Sequence, residues 1–468
     1  MATETDRPDS HARLAISRRH LLAGAFLCLS GTAVSAQTRV ADLRGTIDAA
    51  ELGVLPDRTD DQSAQMQRAI NRAVEKGRAL FLPAGTYPVA NLRLPSGTLI
   101  VGVPGRTRLV YQGGGGLLAT AEGASRIGLD GVVFDGANKL INEHAFGLLH
   151  FLDVDHLSLV NCEITGSSRS GLAMDRCAGQ VERCVVSGAA EAGIRSVEAR
   201  GLVFAENVIT DCANAGLMVM RWTQAEDGTL IRGNRIERIA ARAGGTGQNG
   251  NGINIFRANG VMITGNRVTD CAFSAIRANT ASNVQIIANS CLRSGETGIY
   301  SEFEFEGAVI SDNIVDGATI GISVANFLSG GRMAVVSGNL VRNLSVKSPY
   351  PEQGGAGKGI GIYVEADTTV TGNVIENAPR FGVMAGWGPY LRDVVIADNV
   401  VRDSGISVSI SVVEGSGTAV IRGNILSGYR EAAIVGYRWR DAVTGDLAGG
   451  AAAPAHLTIS GNVVSAAR

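Results

Sequence analysis

Ala275-Ile276-Arg277-Ala278-Asn279, Gly298-Ile299-Tyr300-Ser301-Glu302 and Gly361-Ile362-Tyr363-Val364-Glu365 place reactive side chains in matching positions. Each segment reads as a β-strand whose Ile points inward. Side chains alternate across a strand, so the residue after the Ile and the one two further on face outward together. Glu302 and Glu365 fall in equivalent slots two strand steps apart, about 9–10 Å between backbones at the usual strand spacing. Side-chain lean brings two such carboxyls to the roughly 6.5–9.5 Å separation of an acid–base pair that activates water in inverting glycoside hydrolysis. A second chemistry is proton transfer next to the carboxylate of a sugar acid, with Tyr300 or Arg277 as the transferring group and Tyr363 as its partner. Tyr300 is the better candidate, because an arginine first needs its pKa lowered. The plain alternative is a solvated strand face on which Glu and Arg pair across neighbouring strands and stabilise little.

Asn254, in Gly252-Ile253-Asn254, extends the outward row. Long insertions at 241–250 and 345–358 precede the Asn254 and Tyr363 strands and are expected to wall a groove between them. Short insertions at 222–228, 326–332 and 387–392 and a long one near 437–454 leave the same strands. Insertions gathered beside one face of a repeat protein mark a binding surface. Trp222, Trp387 and Trp439 stand at strand exits there. Aromatic faces beside hydrogen-bonding groups suit sugar rings. Catalytic roles therefore fall to Glu302, Glu365, Arg277 and Tyr300, and substrate contacts to Asn254, Asn279, Tyr363, Trp222 and Trp387. A polysaccharide is the expected partner. The opposing expectation is a non-catalytic glycan-binding or envelope-scaffold protein.

The elements that position these residues repeat. Asn recurs at 161, 207, 234, 266, 289, 313, 339, 373, 399, 424 and 462, with Cys184 in the slot between the first two. An apolar-alternating segment precedes each Asn, and a short apolar segment and then the Gly–Ile segment follow. A period with a floor of 23 residues and occasional insertions marks a solenoid with one coil per repeat. The Asn is expected to be structural: it tolerates left-handed backbone at a sharp turn, and stacked amides form a ladder. Gly is abundant (61 residues) and aromatics scarce (5%), which suits short Val- and Ile-rich strands and tight turns.

A net charge of −2 argues against nucleic acid as the main partner. No metal site is expected from His144, His150 and His156, which lack a Cys or carboxylate at ligand spacing. Glu302, Glu304 and Glu306 alternate along Ser301-Glu302-Phe303-Glu304-Phe305-Glu306, which is expected to be a solvent-facing edge; Ca²⁺ held by three carboxylates on one side of the strand is the alternative, and no cofactor is expected. Asp153 and Asp155 are a weaker version of the same idea. No GxSxG, P-loop or dinucleotide fingerprint is present in a suitable context. The six cysteines beyond Cys28 are expected to be buried free thiols. Cys212 and Cys271 share a slot, but a coil between them puts them roughly 9–10 Å apart at the strand spacing, beyond disulfide reach.

Ser17-Arg18-Arg19-His20-Leu21-Leu22, an apolar run to Val34 and Val34-Ser35-Ala36 read as an export signal with cleavage before Gln37. The pattern resembles a twin-arginine signal, which implies folded export to the periplasm or beyond and no membrane anchor after cleavage. Thr59-Asp60-Asp61, the helical spacing of Met66, Ala69, Ile70, Ala73 and Val74, Leu82-Pro83-Ala84-Gly85-Thr86-Tyr87 and Leu94-Pro95-Ser96-Gly97 follow in order. With the Asn repeats, this order resembles the N-terminal cap and coils of the pectate-lyase-like right-handed parallel β-helix superfamily. More narrowly, the chain looks like a family of twin-arginine-exported repeat proteins without an assigned activity. The resemblance implies an all-β parallel β-helix of about a dozen coils with a short N-terminal α-helical cap. The expected boundaries are 1–36 for the signal, 37–110 for the cap and first coils, and 111–468 for the repeats. It carries over no catalytic residue: Gly-His-Gly and Asp-Pro-His-Asp are absent, and Asp-His occurs only as Asp155-His156. No C-terminal helical cap is expected; the last edge is open to a partner or covered by the 437–456 insertion.

Overall fold

The computed structural model describes residues 45–244, 247–347 and 358–467. The signal and the Arg18-Arg19 pair, and most of the 345–358 insertion, lie outside the described residues. The described chain winds into a right-handed parallel β-helix of three long sheets with 16, 15 and 15 strands. One sheet holds the segment before each Asn and runs from Ile47–Asp48 to Leu457–Ser460. A second holds the segment after it, from Gly85–Val89 to Val463–Ala466. The third holds the Gly–Ile segments, from Leu92–Arg93 to Asp441–Ala442. There are more coils than the Asn repeat alone marks, because the first coils carry no Asn in the ladder slot.

Inward Ile and Leu stack in register: Leu217 on Ile253, Ile276, Ile299, Ile322 and Ile362, all fully buried. Each such side chain stabilises the fold by about 1.5–3 kcal/mol relative to exposure. The Gly before the Ile has a steric cause. A Cβ on Gly298 would sit 2.4 Å from a Val315 methyl and 2.6 Å from the Gly321 carbonyl oxygen. The coil turns so tightly here that only glycine fits.

The Asn residues form a continuous ladder inside the helix. From Asn207 to Asn462, each Nδ2 donates to the Oδ1 of the next Asn at 2.9–3.0 Å. Each Nδ2 also donates to a carbonyl of the preceding coil, as Asn289 does to Ile263 at 2.9 Å. Two sequence expectations need correction. The left-handed residue is the one before the Asn, for example Glu206 (φ 57°), Ala288 (φ 56°) and Asp312 (φ 57°). And Asn161 is not in the ladder: it is itself left-handed (φ 53°), while Cys162 takes the interior slot, aligned with Cys184. Position in the turn, not residue type alone, decides which side chain points in.

At the start, α1 (Ser63–Glu75) lays Met66, Ala69, Ile70 and Ala73 on the open end of the first coils. Asp61 accepts from the Ser63 N–H at 2.9 Å, and Gly77 ends the helix with φ 60°. At the other end, the chain after Ala432–Arg438 folds back antiparallel at Asp441–Ala442. Asp446 accepts from the Ala433 and Ile434 N–H groups at 2.9 and 3.1 Å, and Leu447 is buried over the core. The 437–456 insertion thus covers the edge of the Gly–Ile sheet, while Val463 in the last strand of another sheet stays 65% exposed. All six described cysteines are buried free thiols, and burial pushes those of Cys177, Cys212, Cys271 and Cys291 up.

Candidate functional site

The register puts Met218, Asn254, Arg277, Tyr300, Ser323 and Tyr363 in one outward row across consecutive strands of the Gly–Ile sheet. Met220, Phe256, Asn279 and Glu302 form the row beside it. Arg277 donates through its guanidinium to Glu302, and Asn279 Nδ2 adds a bond to the same carboxylate oxygen at 2.9 Å. Arg277 and Glu302 are buried, with side-chain exposures of 11% and 3%. Tyr300 lies beside them, and burial together with the neighbouring carboxylates of Glu302 and Glu296 pushes its phenol well above the ordinary range. The tyrosine therefore holds its proton.

Gly247 and Gln248, from the described end of the 241–250 insertion, roof this group. Asn251 Nδ2 reaches the Gly247 carbonyl at 2.6 Å and Asn254 Nδ2 the Gln248 carbonyl at 3.3 Å. A Cβ on Gly247 would lie 2.7 Å from Arg277 Nη1, so the loop backbone presses on the guanidinium. Between loop and sheet lies a cavity of about 580 Å³ with Met218, Met220 and Phe256 as apolar walls and Asn254, Arg277 and Asn279 as polar ones. That size and mixture suit a small organic ligand or one unit of a polymer.

Glu365 sits in a different setting. It accepts from the Tyr363 hydroxyl and, at 2.6 Å, from the Phe327 N–H of the 326–332 insertion. Burial pushes its carboxyl above the ordinary range, against the opposing pull of these bonds. Burial and the adjacent carboxylate push the Tyr363 phenol up as well. Glu302 and Glu365 are thus each closed by their own partners, at 2% and 5% exposure, and do not face each other across open solvent. Trp387 packs with Trp439, ring centroids 5.7 Å apart, on an outer apolar cluster that includes Phe381 and Met384. Trp222 is 64% exposed on the extended end of Ala215–Glu226 and does not line the cavity. The Ca²⁺ alternative does not fit the geometry: Phe303 and Glu304 are left-handed (φ 51° and 45°), so the strand breaks after Glu302 and the three carboxylates do not share one strand side.

Two groups escaped the sequence reading. Glu296, in the turn before the Tyr300 strand, is pushed up by burial, with Arg277 opposing and Glu302 adding to the shift. Its signal is a carboxylate directly ahead of a Gly–Ile strand. Farther along the same sheet, Asp175 bridges His150 Nε2 (2.8 Å) and Arg195 Nη1 (3.0 Å), and Phe146 lies under the Arg195 guanidinium at 4.4 Å. Burial raises the Asp175 pKa, but its bonds to His150 and Arg195 outweigh that and hold it below the ordinary carboxylate range. These partners come from three coils, and only the register unites them.

Comparison with known proteins bears on the fold first. Residues 102–296, less than half of the chain, match the family model described as "Periplasmic copper-binding protein (NosD)". No curated protein matches the chain. Among solved structures, the N-terminal fragment of gene product 12 of bacteriophage Phi29 is similar at 14% identity and TM-score 0.53, over 90% of this chain and 72% of that one. The A-module of the mannuronan C-5 epimerase AlgE4 of Azotobacter vinelandii is similar at 16% identity and TM-score 0.37, over 90% and 95%. The catalytic unit of a GH87 α-1,3-glucanase of Streptomyces thermodiastaticus is similar at 14% identity and TM-score 0.47, over 91% and 70%. At these identities the likeness is to the fold alone. No helix among the described residues is long and apolar enough to cross a membrane.

A copper site does not fit the described residues. No three His, Cys, Asp or Glu side chains come together among them, and every described cysteine is buried in the coil interior. Met218 and Met220 supply two thioethers to the cavity, with no third soft donor among its lining residues.

Proposed function

We propose that this chain is an exported carbohydrate-active β-helix protein whose cavity on the Gly–Ile face takes an acidic unit of a polysaccharide. The observation that carries the reading is the cavity itself. Apolar walls from Met218, Met220 and Phe256 suit the C–H face of a sugar ring, and Asn254, Asn279 and Arg277 suit its hydroxyls and carboxylate. Its periplasmic or secreted location rests on the expected twin-arginine signal, and the periplasmic description of the matching family agrees.

Lyase or epimerase chemistry fits this setting better than inverting hydrolysis, because Glu302 and Glu365 are each engaged by separate partners. In this reading the sugar carboxylate displaces Glu302 from Arg277 and Asn279, which then offset its charge, and the released Glu302 takes the proton from the carbon beside that carboxylate. In epimerisation Tyr300 returns a proton to the opposite face of that carbon; in elimination it protonates the leaving oxygen as the C–O bond breaks. The second reading is binding without turnover, favoured by the full engagement of Arg277 by Glu302.

The test is incubation of the purified protein with a panel of acidic and neutral polysaccharides. Ultraviolet absorbance of unsaturated uronate, reducing ends and C5 inversion by NMR are followed together. An activity on a uronate polymer that Tyr300→Phe abolishes supports the enzyme. Binding that Asn254→Ala weakens, with no turnover, supports the second reading. Absence of binding to every glycan removes both.

A further inference from the structure

The sheet that follows each Asn carries an asymmetry the proposed function does not use. Its first outward row reads, coil by coil, Glu163, Val185, Val208, Arg235, Arg267, Ser290, Ile314, Leu340, Val374, Val400, Ile425, Val463. The first half sets Glu163, Arg235, Arg267 and Ser290 around two valines, Val185 and Val208. The last six positions are all aliphatic, and Ile314, Val374, Ile425 and Val463 are 42%, 40%, 47% and 65% exposed. Preference of β-branched residues for strands acts equally on both halves, so it does not account for the change. The ridge spans five coil steps, about 24 Å at the strand spacing.

Two residues further along each strand runs a second outward row: Asp316, Arg342, Glu376, Arg402, then Ser427 and Ser465. Its charges alternate in sign from coil to coil. A sequence of alternating charges read backwards presents opposite signs to itself. Asp316 already bonds Arg342 at 2.9 Å, but Glu376 has no ion-pair partner among the described residues and Arg402 only a distant one, Asp403 at 3.8 Å. The unsatisfied pair thus lies at the middle of the aliphatic ridge.

We propose that this face docks a second copy of the chain. The two copies are related by a two-fold axis that runs parallel to the strands, between those of Val374 and Val400. That operation reverses the coil order and keeps the two rows apart. Val374 meets Val400 of the other copy, Leu340 meets Ile425, and Ile314 meets Val463. In the flanking row Glu376 meets Arg402, twice by symmetry. A closed two-fold contact of this kind is self-complementary and does not propagate. The face is small, about 400 Å² per copy from six strands at the strand spacing and the width of two outward rows. Total burial of about 800 Å² lies below the roughly 1,200–2,000 Å² of stable specific interfaces, so the dimer is weak, transient and dependent on concentration.

The test is sedimentation equilibrium of the purified protein over a wide concentration range. The expected result is a monomer–dimer equilibrium. Glu376→Arg and Arg402→Glu each weaken it about tenfold or more, since each sets like charges opposite one another twice. The double variant Glu376→Arg/Arg402→Glu restores it, and Val374→Asp abolishes it. Both charge variants lie on the solvent face, and circular dichroism melts check that they fold. Three results overturn the proposal: a monomer at all concentrations, assembly insensitive to the single charge variants, or open-ended polymers, which point instead to stacking through the last strands. Glycan binding in the cavity is measured separately and does not bear on it.

Discussion

The Glu302 coil and the Glu365 coil offer the same strand slot to the same face, yet they hold their carboxyls in different ways. Glu302 is met by a cation, Arg277, with an amide from Asn279, and the group borders a cavity. Glu365 is met by neutral donors, the Tyr363 hydroxyl and the Phe327 N–H, under a short insertion. The lesson is that a repeat fixes where a side chain starts, while the insertions and neighbouring strands fix its charge state and access. An ion pair in low dielectric is costly to break, whereas a carboxyl among neutral donors is costly to ionise.

This comparison makes four predictions. The largest effect belongs to Arg277→Met, which leaves Glu302 buried without its cation. A loss of about 3–5 kcal/mol in denaturant unfolding is expected. A loss below 1 kcal/mol would place the pair among weak surface bridges. Next is the common scaffold beneath both coils. Asn289→Ala removes one rung of the ladder, leaves buried partners on both sides and costs about 1–3 kcal/mol. Asn462→Ala at the partly exposed end costs less, and equal costs would argue against a cooperative ladder.

The third prediction concerns pH. The folded pKa of Glu365 is raised, so its contribution to stability is present below the ordinary carboxylate value and is lost as pH rises through the folded value. Glu365→Gln is therefore expected to flatten the stability profile and to gain about 1 kcal/mol at neutral pH, read from thermal melts at several pH values. Asp175 has the opposite sign: its contribution is present above the unfolded value and lost as pH falls through the lowered folded one. An unchanged slope between pH 4 and 7 in the Gln variant would show that the Tyr363 and Phe327 bonds offset burial fully. The smallest effect on stability is expected from Asn254→Ala at the cavity rim, within about 1 kcal/mol for a single bond to the loop backbone. The same change is expected to weaken glycan binding by calorimetry.

Much of the scaffold was legible because it rests on local periodicity. The alternation of Gly-Ile-Tyr-Ser-Glu assigns the outward rows, and the register confirms each pairing from Asn254 to Tyr363. The slip at Asn161 shows the limit. Asn161 and Cys162 are neighbours, both are followed by a strand, and only pairing with Arg183 and Cys184 shows which one points inward. The carboxylate run from Glu302 to Glu306 failed for a similar reason. Its alternation is that of a strand, but the chain turns from one sheet to the next here, with Phe303 and Glu304 left-handed.

The sequence alone therefore determined the repeating coil and the exposed rows of the Gly–Ile strands, because strand alternation and Asn spacing act over a few residues, while the three-sheet cross-section followed from the resemblance to parallel β-helix proteins. Tertiary structure alone decided that Arg277 neutralises Glu302, that Gly247 and Gln248 roof a cavity, and that Asp175 gathers His150 and Arg195. The ion pairs among them join side chains on neighbouring coils, 20 to 25 residues apart in the chain. Their energies depend on burial and on which neighbour reaches a charge first, and neither is set by local spacing.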